Sequence, residues 1–166
     1  GNEMGRLGVL YALTEAELQK LQDCPQEERY DYMLEEIEET LLGTPRGCEV
    51  DKAWEGLQFC FCGGKWDETN AVPANIVFAG EFLVETEDEI MTLKRPEAVK
   101  NITAYLREHD LEAVIRENFP KIDEDAFWFP KTEDVLEHIL GWSKGLLPFY
   151  ENAVKEGCSV IFTVDL

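Results

Sequence analysis

The stretch from Val50 to Gly64, V-D-K-A-W-E-G-L-Q-F-C-F-C-G-G, constrains the fold of this chain more than any other segment. Four of its residues share the i, i+3, i+4, i+7 spacing of one helical face, namely Trp54, Leu57, Gln58 and Phe61. Asp51 is placed to cap this helix through its carboxylate, and Gly63 and Gly64 are placed to end it. The pattern predicts a helix of ordinary length through the centre of the fold.

The same stretch also allows a β-strand, because Leu57, Phe59 and Phe61 occupy every second position. Short apolar runs are ambiguous by periodicity alone. We favour the helix because the cap and the terminal glycines lie where a helix needs them. In either conformation Trp54 carries too much apolar surface to remain in water, so the segment is expected to pass through the core.

The rest of the chain alternates between short apolar runs and amphipathic stretches. The apolar runs predict four strands, at Gly8–Leu13, Ile76–Ala79, Ile90–Leu93 and Cys158–Leu166. Helix-start signals predict helices behind the capping box of Thr14 and Glu17, behind Asp23, from Pro96, and behind Asp110.

From Thr132 onward the apolar residues keep one helical phase for roughly five turns, which predicts a long C-terminal helix with a kink near Pro148. At 166 residues the chain is long enough for one domain with its own core. We therefore expect residues 1–166 to form a single α+β domain, in which a small mixed β-sheet packs against several helices. The residues before Met4 are set aside in this prediction.

The chain is strongly acidic, with 35 Asp and Glu against 15 Lys and Arg and a formal net charge of −20. This charge disfavours nucleic acid and anionic membranes as partners and leaves a basic protein or a cationic ligand. Carboxylates are concentrated at Glu35–Glu39, Glu85–Glu89 and Asp123–Asp125. A surface that is merely kept soluble by excess carboxylates explains the same charges. The sequence contains no uncharged apolar run near the length of about 18 residues that a membrane-spanning helix needs.

The five cysteines are an odd number without regular spacing, and no signal peptide precedes them. We expect reduced thiols, no disulfide and a cytoplasmic location. Cys60 and Cys62 form the best zinc-ligand pair in the sequence, yet on a helix their side chains point about 200° apart. We interpret them as small buried thiols, and neither a metal nor a cofactor is expected.

Motifs for common enzyme chemistry are missing. There is no G-x-G-x-x-G, and Gly63-Gly64-Lys65 is followed by Trp66 without the Ser or Thr that holds magnesium in a phosphate-binding loop. The serines, Ser143 and Ser159, do not lie in a G-x-S-x-G elbow. The sequence therefore assigns no catalytic residue and leaves open whether the protein is an enzyme.

Four residues are candidates for ligand binding. Gln58 is a polar side chain on an apolar helical face beside Trp54, and Glu81 is a carboxylate just beyond the predicted strand Ile76–Ala79. Polar groups that enter a hydrophobic setting can mark a site. His138 lies next to the inward face of the last helix, and its imidazole is of the type that titrates near neutrality. A pocket lined by these four side chains is the corresponding prediction.

Three segments together resemble the YfbM-like family of bacterial proteins: V-D-K-A-W-E-G-L-Q-F, the stretch Ile76–Glu81, and the pattern E-H-I-L…L-L-P-F-Y-E-N-A-V-K-E-G-C-S-V-I-F-T. With the opening G-V-L-Y-A-L-T-E-A-E-L, the resemblance covers nearly the whole chain. It implies an α+β single domain of unknown function, with no catalytic residues to carry over. The chain departs from the family pattern at Gln58, where relatives often place His, and around Glu85–Leu93, where a G-Y-G-P-like turn is missing.

Two functional hypotheses follow. The leading one is a non-catalytic acidic module that binds a basic protein, for example a toxin or nuclease domain that it neutralises. The alternative is a small-molecule-binding protein or an enzyme with a pocket near Trp54, Gln58 and Glu81. The sequence leaves the oligomeric state undetermined.

Overall fold

A computed structural model describes residues 7–69 and 71–166. Five strands in these residues form one sheet in the order β2-β1-β5-β4-β3. The strands are β1 (Gly8–Leu13), β2 (Gly47–Asp51), β3 (Glu81–Glu85), β4 (Glu89–Lys94) and β5 (Ser159–Asp165). Every pairing among these strands is antiparallel, so the sheet differs from the mixed sheet that was predicted. The α+β class is confirmed. The residues before Met4, which the prediction set aside, lie outside the described residues.

The helices fall into two groups. On one face of the sheet lie α1 (Glu15–Asp23), α2 (Arg29–Tyr32), a π-helical segment (Met33–Glu38) and the short helix α3 (Glu39–Leu41) that continues it. The other helices are α4 (Trp54–Phe61), α5 (Pro96–Glu108), α6 (Leu111–Asn118), α7 (Glu133–Ser143) and α8 (Leu146–Glu156). The predicted capping box of Thr14 and Glu17 and the predicted cap Asp110 are both confirmed.

The sheet separates two hydrophobic clusters, one on each face. Leu10 and Phe162 belong to the larger cluster, with α4, α5, α7 and α8. Tyr11 and Ile161, their neighbours along the strands, belong to the smaller cluster with α1 and the π-helical segment. Because both faces are covered, the central strand β1 has no charged residue, and all six of its residues are buried.

The central helix α4 forms as predicted, but the residue predicted to cap its first turn does not do so. Trp54, Leu57 and Phe61 are buried, and the strand alternative is excluded. The predicted cap is wrong, because Asp51 ends β2 with a φ of 50° and its carboxylate accepts from the next backbone N–H instead. At the other end Gly64 has a φ of 91° and donates its N–H to the Phe59 carbonyl, so the glycines do end the helix.

The prediction of a strand at Ile76–Ala79 is wrong. These residues follow a 3-10 turn (Val72–Asn75) and form an irregular segment that is buried throughout. Side chains bond the backbone groups that a neighbouring strand would otherwise pair. The carbonyl of Ile76 accepts from Tyr150 Oη at 2.6 Å, and that of Phe78 accepts from Thr92 Oγ1 at 2.7 Å.

The predicted long C-terminal helix is divided in two. α7 ends at Ser143 and α8 begins at Leu146 after Gly145. Pro148 therefore lies in the first turn of α8, where its missing N–H has no intrahelical partner to lose. None of the helices in the described parts of the chain is long and apolar enough to cross a membrane.

Candidate functional site

A cavity of about 370 Å³ opens beside α4 on the face of the sheet that carries the larger cluster. Four aromatic residues line it, and we call it the aromatic pocket: Trp54, Phe59, Trp66 and Phe78. α4 supplies the first two, the loop after α4 supplies Trp66, and the irregular segment supplies Phe78. Elements that are distant in the sequence therefore meet at one site.

The aromatic rings pack against one another at ordinary contact distances. Trp54 and Phe78 are close to parallel, with ring centroids 5.9 Å apart. Trp66 meets Phe78 at 5.0 Å and Phe59 at 5.3 Å, in both cases edge to face. Trp66 is 36% exposed, whereas Trp54 is 4% exposed. Trp66 is therefore the ring that offers its surface to an incoming group, and the other rings hold it in place.

Three carboxylates stand at the pocket, and none of the described residues that line it is basic. Glu68 accepts the indole N–H of Trp66 at 2.6 Å, which fixes the orientation of that ring. Glu55 accepts the backbone N–H of Trp128 at 3.1 Å. Glu85 ends β3 and is exposed. Aromatic faces and carboxylates both stabilise positive charge, so this arrangement favours a cation.

Gln58 does not line the pocket but holds two of its walls. Its side-chain nitrogen donates to the carbonyls of Asp67 at 2.8 Å and Ala74 at 2.9 Å, and its oxygen accepts the N–H of Phe78 at 2.9 Å. The residue is completely buried. One amide therefore joins the loop that carries Trp66 to the segment that carries Phe78.

Lys94 lies behind the same segment, fully buried in the sheet. Its Nζ donates to the Val77 carbonyl at 2.5 Å and to Thr92 Oγ1 at 2.9 Å, and it stands 5.3 Å from the centre of the Phe162 ring. Burial lowers the pKa of this amine well below its usual 10.5. Lys94 supports the pocket wall from behind and does not reach the pocket.

The four candidate residues from the sequence do not meet in one cavity. Trp54 lines the aromatic pocket, and Gln58 is bonded behind it. Glu81 begins β3 and forms an exposed ion pair with Arg95 at 2.6 Å. His138 lines a separate apolar cavity of about 230 Å³, between α4 and α7.

Sequence reasoning missed Trp66 and Phe78 as site residues. Trp66 stands in a stretch that is otherwise polar, and an aromatic residue at such a position was an available signal. Phe78 gave no such signal, because the run Ile76–Ala79 resembles a buried strand.

The cysteines do not contribute a reactive group to the site. All five are free thiols. Burial raises the pKa of Cys60 to about 12, and burial together with the nearby Asp67 raises that of Cys62 to about 11. A thiol with such a pKa stays protonated near neutral pH and is a poor nucleophile. Among the described residues, no group of three or more His, Cys, Asp or Glu could hold a metal ion.

Comparisons with known proteins give a family and a similar fold but no activity. The family model for "Domain of unknown function (DUF1877)" matches residues 4–163. Among solved structures, the chain is similar to a protein of unknown function, YfbM from Escherichia coli, with a TM-score of 0.67 and 18% sequence identity over 95% of this chain and 99% of that chain. No curated protein matches the chain. At this identity, the likeness to the solved structure shows the fold alone.

Proposed function

Because the chain belongs to the family defined by a domain of unknown function, DUF1877, we propose its function from its own site: it is a non-catalytic module whose aromatic pocket takes a basic side chain of a partner protein. The resemblance to YfbM-like proteins that the sequence indicated is confirmed. The proposal extends the leading hypothesis by giving the acidic surface a defined anchor point.

The proposal is based on the composition of the pocket wall, which combines an exposed aromatic ring with carboxylates. The face of Trp66 attracts a cation through its π electrons, an interaction of about 0.5–2 kcal/mol that grows as water is excluded. Glu68 and Glu85 add negative charge at the same place. A lysine or arginine side chain matches both features, since its alkyl stem covers apolar surface while its head reaches the carboxylates.

A partner protein fits better than a free small molecule because exposed aromatic surface continues beyond the pocket. Phe82 is 38% exposed and contacts Phe78 with ring centroids 6.2 Å apart. Trp128 is 52% exposed, and its backbone is bonded to Glu55. Large aromatic residues of this kind supply most of the binding energy at protein interfaces.

The net charge of −20 supports the same partner class. Complementary fields accelerate encounter with a basic protein, such as a nuclease or toxin domain, and select against acidic partners. Five free thiols fit a reducing compartment, so we place this interaction in the cytoplasm.

Isothermal titration with an octapeptide of alternating lysine and glycine tests the proposal. Trp66→Ala should weaken binding about tenfold, because the exposed ring is the cation's main contact. Trp142→Ala is the matched control, since Trp142 lies on α7 away from the pocket. Equal losses in both variants, or no loss in either, would contradict the assignment of the pocket.

The rim carboxylates need a separate control, because any acidic protein attracts a basic peptide. Glu68→Gln with Glu85→Gln should reduce affinity by more than Glu35→Gln with Glu39→Gln, which removes the same charge from the other face of the sheet. Equal reductions would show that net charge alone drives binding. N-acetyl-lysine amide should bind more weakly than the peptide; equal affinity would favour the small-molecule alternative.

A further inference from the structure

A second cavity, of about 180 Å³, lies on the opposite face of the sheet, beneath the π-helical segment. Its polar lining consists of two hydroxyls and three carboxylates: Tyr30, Thr163, Glu38, Glu49 and Asp165. We call it the Tyr30 cavity. Val9 pairs with Glu49 on β2 and with Thr163 on β5, so these three strands form its floor.

The two hydroxyls of the Tyr30 cavity lack hydrogen-bond partners among the described residues. Tyr30 is 8% exposed and Thr163 is 4% exposed, yet neither side chain bonds to any residue that the structure describes. Comparable buried tyrosines are satisfied, since Tyr11 donates to Glu38 at 3.0 Å and Tyr150 donates to the Ile76 carbonyl at 2.6 Å. Neither hydroxyl oxygen is sealed off by protein atoms, so both are open to the cavity and available to a bound group. Two such hydroxyls facing one cavity point to a ligand that bonds both.

The electrostatic field in the Tyr30 cavity favours a cation. None of the described residues that line it is basic. Burial raises the pKa of the Tyr30 phenol, and the carboxylates of Asp165, Glu89 and Glu38 raise it further. The phenol is therefore neutral near pH 7 and available both as an acceptor and as a donor.

The π-helical segment shapes the cavity. Tyr30, Leu34 and Glu38 follow one another at intervals of four residues, and all three line the cavity. The wider turn of the π-helix is rare in proteins and occurs frequently at functional sites. Here it places the Glu38 carboxylate and the Leu34 side chain along the same wall as Tyr30, which lies on the preceding helix α2.

We propose that the Tyr30 cavity binds a small organic ammonium ion, such as a protonated primary alkylamine. The three N–H donors of the ammonium group match Tyr30 Oη, Thr163 Oγ1 and one carboxylate, and Val9 and Leu34 contact the alkyl chain. A divalent metal fits less well, because the described residues contain no group of carboxylates, histidines or cysteines that could hold one. This site lies across the sheet from the aromatic pocket and does not depend on the function proposed for that pocket.

Titration of isotope-labelled protein with n-butylammonium chloride, followed by NMR, tests the inference. The amide signals of Tyr30 and Thr163 should shift saturably, whereas n-butanol, which lacks the charge, should produce at most a much weaker effect. Tyr30→Phe and Thr163→Val each remove one hydroxyl with little change of shape, and each should weaken binding by about fivefold or more. Because neither hydroxyl is bonded within the described chain, both variants should fold; if one does not, the other carries the test.

Two control variants show whether binding is confined to the Tyr30 cavity. Tyr32→Phe removes a neighbouring hydroxyl that does not line the cavity, and Trp66→Ala alters the aromatic pocket; both should leave butylammonium binding unchanged. Equal affinity in Tyr30→Phe, Thr163→Val and the original protein would overturn the proposal and indicate general attraction to an acidic surface. Absence of saturable binding, or displacement of butylammonium by millimolar Mg²⁺ at constant ionic strength, would also overturn it.

Discussion

Gln58 and Lys94 show how single buried polar residues hold the wall of the aromatic pocket. Both contribute hydrogen bonds to the irregular segment around Val77 and Phe78, which is not paired with any of the five described strands. The sequence indicated that Gln58 would enter a hydrophobic setting, and it does. Its three backbone partners lie 9 to 20 residues away along the chain, so the bonds themselves could not be predicted from local sequence.

Gln58→Leu should lower the free energy of unfolding by about 1–3 kcal/mol, because it leaves the buried Phe78 N–H without its partner and removes the donor that joins the carbonyls of Asp67 and Ala74. Urea denaturation measures the change. Gln19→Leu is the control on the exposed side of α1 and should stay within about 0.5 kcal/mol of the original protein. A cost below about 1 kcal/mol for Gln58→Leu would show that the loop and the segment do not need this amide.

Lys94 predicts a specific dependence of stability on pH. Because burial lowers its pKa below the usual 10.5, the unfolded state binds more protons than the folded state between these two values. The stability contributed by Lys94 should therefore rise as pH increases from 7 to 9.5. The raised pKa values of buried tyrosines and cysteines act in the opposite direction toward pH 9.5, so the contribution of Lys94 is obtained by comparing the original protein with a Lys94 variant at each pH.

Denaturant melts of Lys94→Met at pH 7, 8, 9 and 9.5 test this prediction. The difference in unfolding free energy between the original protein and the variant should move in favour of the original protein as pH rises. Lys100→Met removes an exposed lysine from α5, and its difference should be independent of pH over the same range. A constant difference for Lys94→Met would mean that Lys94 is charged in the folded protein.

Among helices and strands, features that depend on residues close in the sequence could be predicted, and features that depend on distant contacts could not. The capping box at Thr14, the cap at Asp110 and the glycines that end α4 act within a few residues, and the structure confirms them. The edge strands β2 and β3 were missed because each has only five residues and no apolar run longer than three; their pairing with β1 and β4 defines them. The π-helical segment gave no signal, because its apolar positions also fit an α-helix.

The contact between α4 and α7 depends on a glycine. A Cβ atom at Gly56 would come within 2.9 Å of Ile139 Cγ1 and closer still to Cδ1. Gly56→Ala should therefore destabilise the protein by about 1–3 kcal/mol in thermal or urea unfolding, since overpacking outweighs the gain in helix propensity.

Gly141→Ala is the matched control on α7, where an added Cβ would meet nothing within 4 Å. It should stabilise the protein by roughly 0.5–1 kcal/mol, because alanine is the better helix former. Stabilisation by both substitutions would show that α4 and α7 are free to move apart.

At the scale of the whole molecule, the sheet divides the chain into two faces with different chemistry. One face carries the aromatic pocket, and the other carries the Tyr30 cavity beneath the π-helical segment. The composition predicted an acidic protein and a cationic partner class, but it could not locate a site. The aromatic pocket draws its walls from α4, the following loop and residues 76–79, and only the folded sheet brings these together.

The indole N–H signals of the four tryptophans give the most direct test of the aromatic pocket. The Trp66 indole donates to Glu68 at 2.6 Å, so its NMR signal reports on the ring face and the carboxylate together. On titration with the lysine–glycine octapeptide, the Trp66 signal should shift saturably, and the Trp142 signal, from α7, should stay in place. Binding of the peptide with no shift of Trp66, or with an equal shift of Trp142, would contradict the assignment of the pocket as the site for a basic side chain.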